Sequence, residues 1–220
     1  MTGSFDFDHT HQGLVVPIRS LGWQHRAAIA KHLLSLMPTD RYLRFGFAAT
    51  DAQIQRYLAS IDFECDEVFG VFNRHLELIA MAHLAFSSNP EAAACAEFGV
   101  SVLEHARGRG YGGLLFDRAV IRARNDGVRL LFIHALSENR PMIRIARKAG
   151  AELVRDGSET EAHLKLAPAN LETRFKDLVQ EQVAESDYRL KEQAQTFWNF
   201  LATLQEVRQG VREGRGHAGQ

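Results

Sequence analysis

The tightest constraint on this chain is a run of seven residues, Arg107 to Gly113, that holds four glycines and two arginines. An alternating apolar stretch, AEFGVSVL, precedes it. Phe116, Ala119, Val120 and Ala123 follow at helical spacing and end at Gly127, a suitable left-handed terminator. A plain helix-start turn needs one glycine, not four. Glycines between a strand and a helix let backbone N–H groups turn inward at a helix N-terminus whose dipole favours anions, so the loop is read as a phosphate cradle. Two patterns fit its letters. Gly108, Gly110 and Gly113 spell G-x-G-x-x-G, whereas Arg107, Gly110 and Gly112 spell R-x-x-G-x-G.

The surrounding sequence favours the second pattern. In a dinucleotide fold the strand runs almost directly into the first glycine. Here the apolar strand ends near Leu103, and Glu104, His105, Ala106 and Arg107 intervene before Gly108. The strands upstream also read as an antiparallel meander. In EVFGVFNRHLELIAMAHLAF two strands meet around Asn73-Arg74-His75, and Leu76, Leu78, Ala80, Ala82, Leu84 and Phe86 share one face.

The remaining elements complete an α/β pattern with a mixed sheet, in the order β1-α1-α2-β2-β3-β4-α3-β5-α4-β6-β7, plus a long C-terminal helix. LVVPIRS opens as a strand. Ile29, Leu33, Leu36 and Met37 mark a helix that Pro38 ends, and a short helix follows at about Asp51 to Ser60. RLLFIHAL is nearly continuous in apolar residues, as expected of a strand covered on both faces. A helix from Asn139 and Pro141 stops at Gly150, and AELVRDGSETEAHLKL is a hairpin turning at Asp156-Gly157. The organisation is therefore an arm at residues 1–12, a domain at 13–167 and a helical extension at 168–220.

Residues from about Leu14 to Leu166 resemble the GNAT superfamily of N-acetyltransferases, which uses an R-x-x-G-x-G loop for the pyrophosphate of acetyl-coenzyme A. NRPMIRIARKAGA, beginning at Asn139, is similar without a gap to the family's N-x-x-A-x-x-L-Y-x-K-x-G-F. LMPTDRYLRFGF resembles, over a shorter span, a segment of bacterial protein-lysine acetyltransferases. The resemblance implies an acetyl-coenzyme A dependent N-acetyltransferase acting on a protein lysine or small amine. Arg107, Gly108, Arg109, Gly110, Tyr111, Gly112 and Gly113 would hold the diphosphate. The backbone of Val100, Ser101 and Val102 would pair with the pantetheine arm where the strand parts from RLLFIHAL, and Asn139 would touch the cofactor.

Acetyl transfer needs a neutral amine. Deprotonating a lysine-like amine of pKa about 10.4 at pH 7 costs roughly 4.6 kcal/mol, whereas releasing a thiolate of pKa about 8.5 costs roughly 2 kcal/mol. The base therefore matters more than the acid. Glu97 is the first candidate, on the strand ten residues before Arg107, where several family members carry a glutamate acting through water. His134, five residues before Asn139, is the second, with an ordinary pKa suited to the task. His83 and His163 are assigned structural roles. The family tyrosine that protonates the leaving thiolate falls on Ala146, and the usual phenylalanine on Ala151. Water, Ser137 or no acid at all would replace the tyrosine. The alternative is a non-catalytic acyl-coenzyme A sensor or interaction module.

Composition narrows the partners. With 26 basic and 27 acidic residues there is no global field for nucleic acid or an anionic membrane. Cys65 and Cys95 cannot build a disulfide framework and are expected to be small buried hydrophobes in a reducing, cytoplasmic setting. The N-terminal MTGSFDFDHTHQG has neither the basic start nor the apolar core of a signal peptide. Its Asp6, Asp8, His9 and His11 read as a polar arm, with no metal site expected. In the tail, Leu190, Ala194, Phe197, Leu201, Leu204 and Val211 keep a near 4-3 spacing. That stripe suits either packing on the chain's own domain or a homodimer seam.

Overall fold

The computed structural model describes residues 16–87, 94–189 and 191–192. Seven strands form one mixed sheet in the order β1-β2-β3-β4-β5-β7-β6. They are β1 Arg19–Ser20, β2 Glu67–Phe72, β3 Leu78–Phe86, β4 Cys95–Val102, β5 Leu130–Leu136, β6 Glu152–Asp156 and β7 Glu159–Lys165. Only β4 and β5 pair in parallel; the other neighbours are antiparallel. The helices are α1 Arg26–Leu34, α2 Pro38–Phe45, α3 Asp51–Ser60, α4 Tyr111–Asn125 and α5 Arg140–Lys148. The chain is helical again at 171–189 and 191–192, here α6. The mixed α/β sheet expected from the sequence is present.

Two apolar layers sandwich the sheet. Ala82, Leu84, Phe98, Leu131 and Ile133 pack under Leu115, Phe116 and Ala119 of α4 and Met142 and Ala146 of α5. The opposite face carries Val68, Phe72 and Met81 against Ile29 and Leu33 of α1 and Ile54 and Leu58 of α3. Phe98 meets Phe116 edge-on with ring centroids 5.1 Å apart. Each such side chain contributes about 1.5–3 kcal/mol relative to exposure.

Four local expectations need correction. The sequence around Pro38 reads as a connection, yet Pro38 opens α2: proline suits a first helical turn, Met37 is extended before it, and Gly46 at φ 79° terminates it. On β3 the register shifts at Val71/Phe72, so Phe72 faces Leu78 while Val71 faces Ala80. That bulge sends Leu78 to the α1 side and leaves Ala80, Ala82 and Leu84 on the α4 side. On β5, Leu131 and Ile133 are buried but His134 is exposed, so only one face is covered there. Cys65 is exposed in the turn after α3 and Cys95 half-buried, and both are free thiols.

Over its described residues α6 packs back on the domain, through the buried Ala184, through Tyr188 against Phe72 (ring centroids 5.1 Å apart), and through ion pairs. Arg118 of α4, only 2% exposed, pairs with Asp177 and with Glu181 (2.8 Å). Arg19 pairs with Glu185 at 3.0 Å and stacks 3.9 Å from the centre of the Tyr188 ring. The opposite side of α6 is apolar and exposed, with Leu171 at 88%, Phe175 at 68% and Leu178 at 62%. The stripe from Leu190 to Val211 lies outside the described residues, as does the arm with Asp6, Asp8, His9 and His11.

Candidate active site

The site begins where β4 and β5 part. They pair only from Cys95↔Leu130 to Glu97↔Phe132, although both strands continue beyond. Backbone direction then decides which groups face the opening. Leu103 N–H donates to Ile79 O and Ser87 N–H to Cys95 O, so odd-numbered residues of β4 point their backbone groups toward β3. Ala94 O accepts from Arg129 N–H on the other edge. By the same alternation, Phe98, Val100 and Val102 turn their N–H and C=O into the widening gap. Val100 and Val102 thus stand where a ligand strand would pair. Ser101 does not, because its backbone faces β3. Its hydroxyl lies 2.8 Å from His32 Nε2, while His32 Nδ1–H donates to Leu78 O at 2.8 Å. Burial lowers the His32 pKa to about 4 and keeps this imidazole neutral.

The glycine loop closes one end of the gap. Gly108 and Gly110 have φ of 77° and 79°, and a Cβ on either would meet nothing within 4 Å. The loop is therefore an open cradle that needs glycine for its backbone and not for packing. Gly110 is also the N-cap of α4, and no side chain caps that end. The N–H groups of Tyr111, Gly112 and Gly113 are left for a ligand or water, with the helix dipole behind them. Arg109 is exposed beside them. Arg107 instead reaches across to α2: its Nη2 lies 2.5 Å from Asp40 Oδ1 and its Nε donates to Val102 O at 3.3 Å.

Helix α2, which the sequence did not reveal, bridges the opening. Its first turn holds the loop through Asp40, and near its end Leu43 O accepts from Asn139 Nδ2 at 3.3 Å. Asn139 Oδ1 accepts from Met142 N–H and so caps α5 at the β5 side of the gap. Asn139 therefore stands at the site, engaged with α2 and α5.

The candidate bases lie on one face. Glu97 is exposed opposite Phe132, and His134 follows two residues later on the same side of β5. The His134 side chain is 56% exposed, with Nε2 3.7 Å from Glu161 Oε1. His163 sits beside them, its Nε2 3.2 Å from Glu161 Oε2. Ala146 is 1% exposed in the core under α5 and offers no proton. The Ser137 hydroxyl is engaged with Glu159 O at 3.2 Å and Thr160 Oγ1 at 2.9 Å. Among the described residues no group of His, Cys, Asp and Glu side chains could hold a metal ion.

Sequence reasoning missed a second polar system on this face. Asp66 Oδ2 lies 3.1 Å from His83 Nε2, His83 Nδ1 lies 2.7 Å from Tyr57 Oη, and Arg44 Nη2 donates to Tyr57 Oη at 2.8 Å. Burial pushes the Tyr57 phenol up, with Arg44 beside it acting the other way. The Arg44 guanidinium lies flat on Gly99 of β4, where a Cβ would come within 2.5 Å of its Cζ. Arg44, Tyr57, Asp66 and His83 are too scattered in sequence to form a motif. An isolated glycine inside a strand was the available signal of a close approach.

The family model for GNAT acetyltransferases matches residues 33–151, a span that runs from the end of α1 through the parted strands, the glycine loop and α5. The chain belongs to the GNAT acetyltransferase family. Membership places it among the acyltransferases. The fold is similar to the GNAT domain of S. lividans PAT, at 18% identity and a TM-score of 0.59, covering 70% of this chain and 95% of that one. It is also similar to a GNAT superfamily phosphinothricin acetyltransferase from Sinorhizobium meliloti in complex with acetyl-coenzyme A (16%, TM-score 0.56, 72% and 95%). A cAMP-binding acyltransferase from Mycobacterium smegmatis gives 22% and 0.50, covering 76% of this chain and 48% of that one. No curated protein sequence matches the chain. Among the described residues no helix is long and apolar enough to cross a membrane.

Proposed function

We propose that this GNAT protein is an acetyl-coenzyme A dependent N-acetyltransferase that passes the acetyl group directly to a primary amine, with Glu97 as the base. The observation that carries this is the turning of Val100 and Val102 backbone groups into the β4–β5 gap, at whose end the Gly108–Gly113 cradle opens. These residues fit the donor. The N–H groups of Gly108, Arg109, Gly110, Tyr111, Gly112 and Gly113 would take its diphosphate, and Val100 and Val102 its amide arm. Asn139 and the end of α2 would bound the far side. Similarity to the acetyl-coenzyme A complex of the S. meliloti enzyme supports the assignment.

Bound acetyl-coenzyme A supplies an electrophilic thioester. Glu97, on the face where the strands part, takes the proton of the incoming ammonium through water, against a cost of roughly 4.6 kcal/mol at pH 7. His134 is the second candidate for that role. With Ala146 in the core, the thiolate leaves without a tyrosine donor, at roughly 2 kcal/mol. Glu97→Gln should lower kcat at least tenfold with acetyl-coenzyme A affinity nearly intact; unchanged kcat removes Glu97 from the mechanism.

Burial of Ala146 favours a second reading, an acyl-coenzyme A sensor without turnover. Acetyl-coenzyme A stabilisation with no thiol release across amines and lysine peptides would select it. The proposal also includes a homodimer through the tail. The exposed apolar side of α6 is opposite the side its own domain covers, and Val183 lies seven residues before Leu190, the first of the tail's 4-3 residues. Between Pro168 and Gly210 there is no glycine or proline to turn the chain back. A second copy supplies a matching stripe. A monomer at micromolar concentration in light scattering would refute it.

A further inference from the structure

Arg44 is the unexplained charge at this site. Arg41, three residues earlier on α2, spends its guanidinium on Asp51 at 2.6 Å and on the carbonyls of Leu34, Leu36 and Ala49. Arg44 has one hydrogen-bond partner, Tyr57 Oη, and among the described residues no carboxylate pairs with it. Its position is nonetheless fixed. With a neutral imidazole, His83 Nε2–H donates to Asp66 and His83 Nδ1 accepts from the Tyr57 hydroxyl, whose oxygen accepts from Arg44. Asp66 is itself held by the N–H of Phe86 at 3.1 Å and of Asp62 at 3.2 Å. The rings of Phe45 and Tyr57 flank the guanidinium at 5.2 and 5.3 Å. A four-membered chain anchored in backbone thus orients one cation over Gly99.

The location gives the cation a purpose. Gly99 lies two residues after Glu97 on the same face of β4, roughly 6–7 Å along the strand, and the strands begin to part between them. Arg44 is half-buried over Gly99, where the strands have already parted, and one hydrogen bond, to Tyr57 Oη, occupies its donors. An amine delivering its proton to Glu97 would have its neighbouring atoms beside this guanidinium. Planar donors at a partly desolvated site suit a carboxylate and discriminate strongly against a neutral group.

The geometry points to Arg44 as the acceptor-recognition residue, taking a carboxylate a few bonds from the amine, with Tyr57, His83 and Asp66 as its positioning residues. The acceptor class is then an amino carboxylate. This rests on the acetyltransferase reading of the same gap and deepens it.

Matched acceptors test it: free amino carboxylates, the same molecules as primary amides, and lysine peptides with and without an acidic neighbour. The wild type should prefer the carboxylate over its amide by roughly 10- to 100-fold in kcat/KM, mainly through KM. Arg44→Gln should collapse that ratio toward one. Gly99→Ala should do the same while removing no charge, because its Cβ displaces the guanidinium. Melting curves establish that both variants fold. Preference among free acceptors assigns a small molecule; preference confined to acidic-flanked peptides assigns a protein lysine.

A second readout separates the two readings. Titration of the amino carboxylate into the protein with coenzyme A, followed by NMR, reports binding without turnover. Arg44-dependent binding with no thiol release would sink the acetyltransferase and keep the carboxylate site. Equal turnover of acid and amide, unmoved by Arg44→Gln, would overturn the carboxylate site and keep the enzyme.

Discussion

Removing the carboxylates that face Arg118 should unfold the protein far more readily than an ordinary surface change. The Arg118 side chain is 3% exposed, and its two ion-pair partners, Asp177 and Glu181, both come from α6. Their own side chains are 15% and 41% exposed, so the Glu181 pair is the more open to solvent screening. Burial lowers the Arg118 pKa, and Glu181 counteracts it. Deleting both partners leaves a buried cation with only the more distant Glu67 to offset it, which costs about 3–5 kcal/mol. For a chain of this size that is a fall of about 6–20 °C in melting temperature. Asp177→Ala with Glu181→Ala, followed by thermal denaturation and a urea titration, measures it. Adding Arg118→Met to that pair should restore most of the loss, since an uncharged side chain of similar length needs no partner. A shift below about 2 °C in the double variant, or no recovery in the triple, would refute the docking of α6 through Arg118.

Three further outcomes follow from the site. Gly110→Val places a branched Cβ at φ 79°, costing about 1–3 kcal/mol of strain, and should abolish thermal stabilisation by acetyl-coenzyme A; retained stabilisation would mean the cradle lies elsewhere. His32 is held well below its unfolded pKa, so the unfolded chain binds the extra proton. Stability is then full above about pH 6.5 and falls as the pH drops toward 4, by about 2 kcal/mol between pH 7 and 5. His32→Gln should flatten that slope in urea titrations, and a slope equal to wild type would contradict the assignment. Tyr57→Phe removes the brace but not the charge of Arg44, and should weaken carboxylate preference less than Arg44→Gln does; an equal or larger effect would give Tyr57 a direct role.

The sheet and the cradle were legible because their signals are local. Alternation marks β4, four glycines among the seven residues Arg107 to Gly113 mark the loop, and apolar spacing marks α4. The parting of β4 from β5 was legible only through the family resemblance, and Leu103 N–H to Ile79 O then decided which residues face the gap. Helix α2 was hidden because Pro38 reads equally as a stop and as a first turn. Leu78 changed faces because a one-residue bulge reverses strand parity and leaves no mark in hydropathy. The Arg44–Tyr57–His83–Asp66 chain draws on α2, α3, the turn before β2, and β3. No spacing rule connects those elements. The tail's stripe from Leu190 to Val211 lies outside the described residues, while α6 before it rests on the domain through Asp177, Glu181, Ala184 and Tyr188 and turns Leu171 and Phe175 outward.

A crystal structure grown with acetyl-coenzyme A tests the central claim most directly. The expected result is a diphosphate within hydrogen-bond distance of the N–H groups between Gly108 and Gly113, an amide arm paired to Val100 and Val102, and a thioester on the Glu97 side of the gap. A donor bound elsewhere, or strands β4 and β5 closed over that gap, would contradict it.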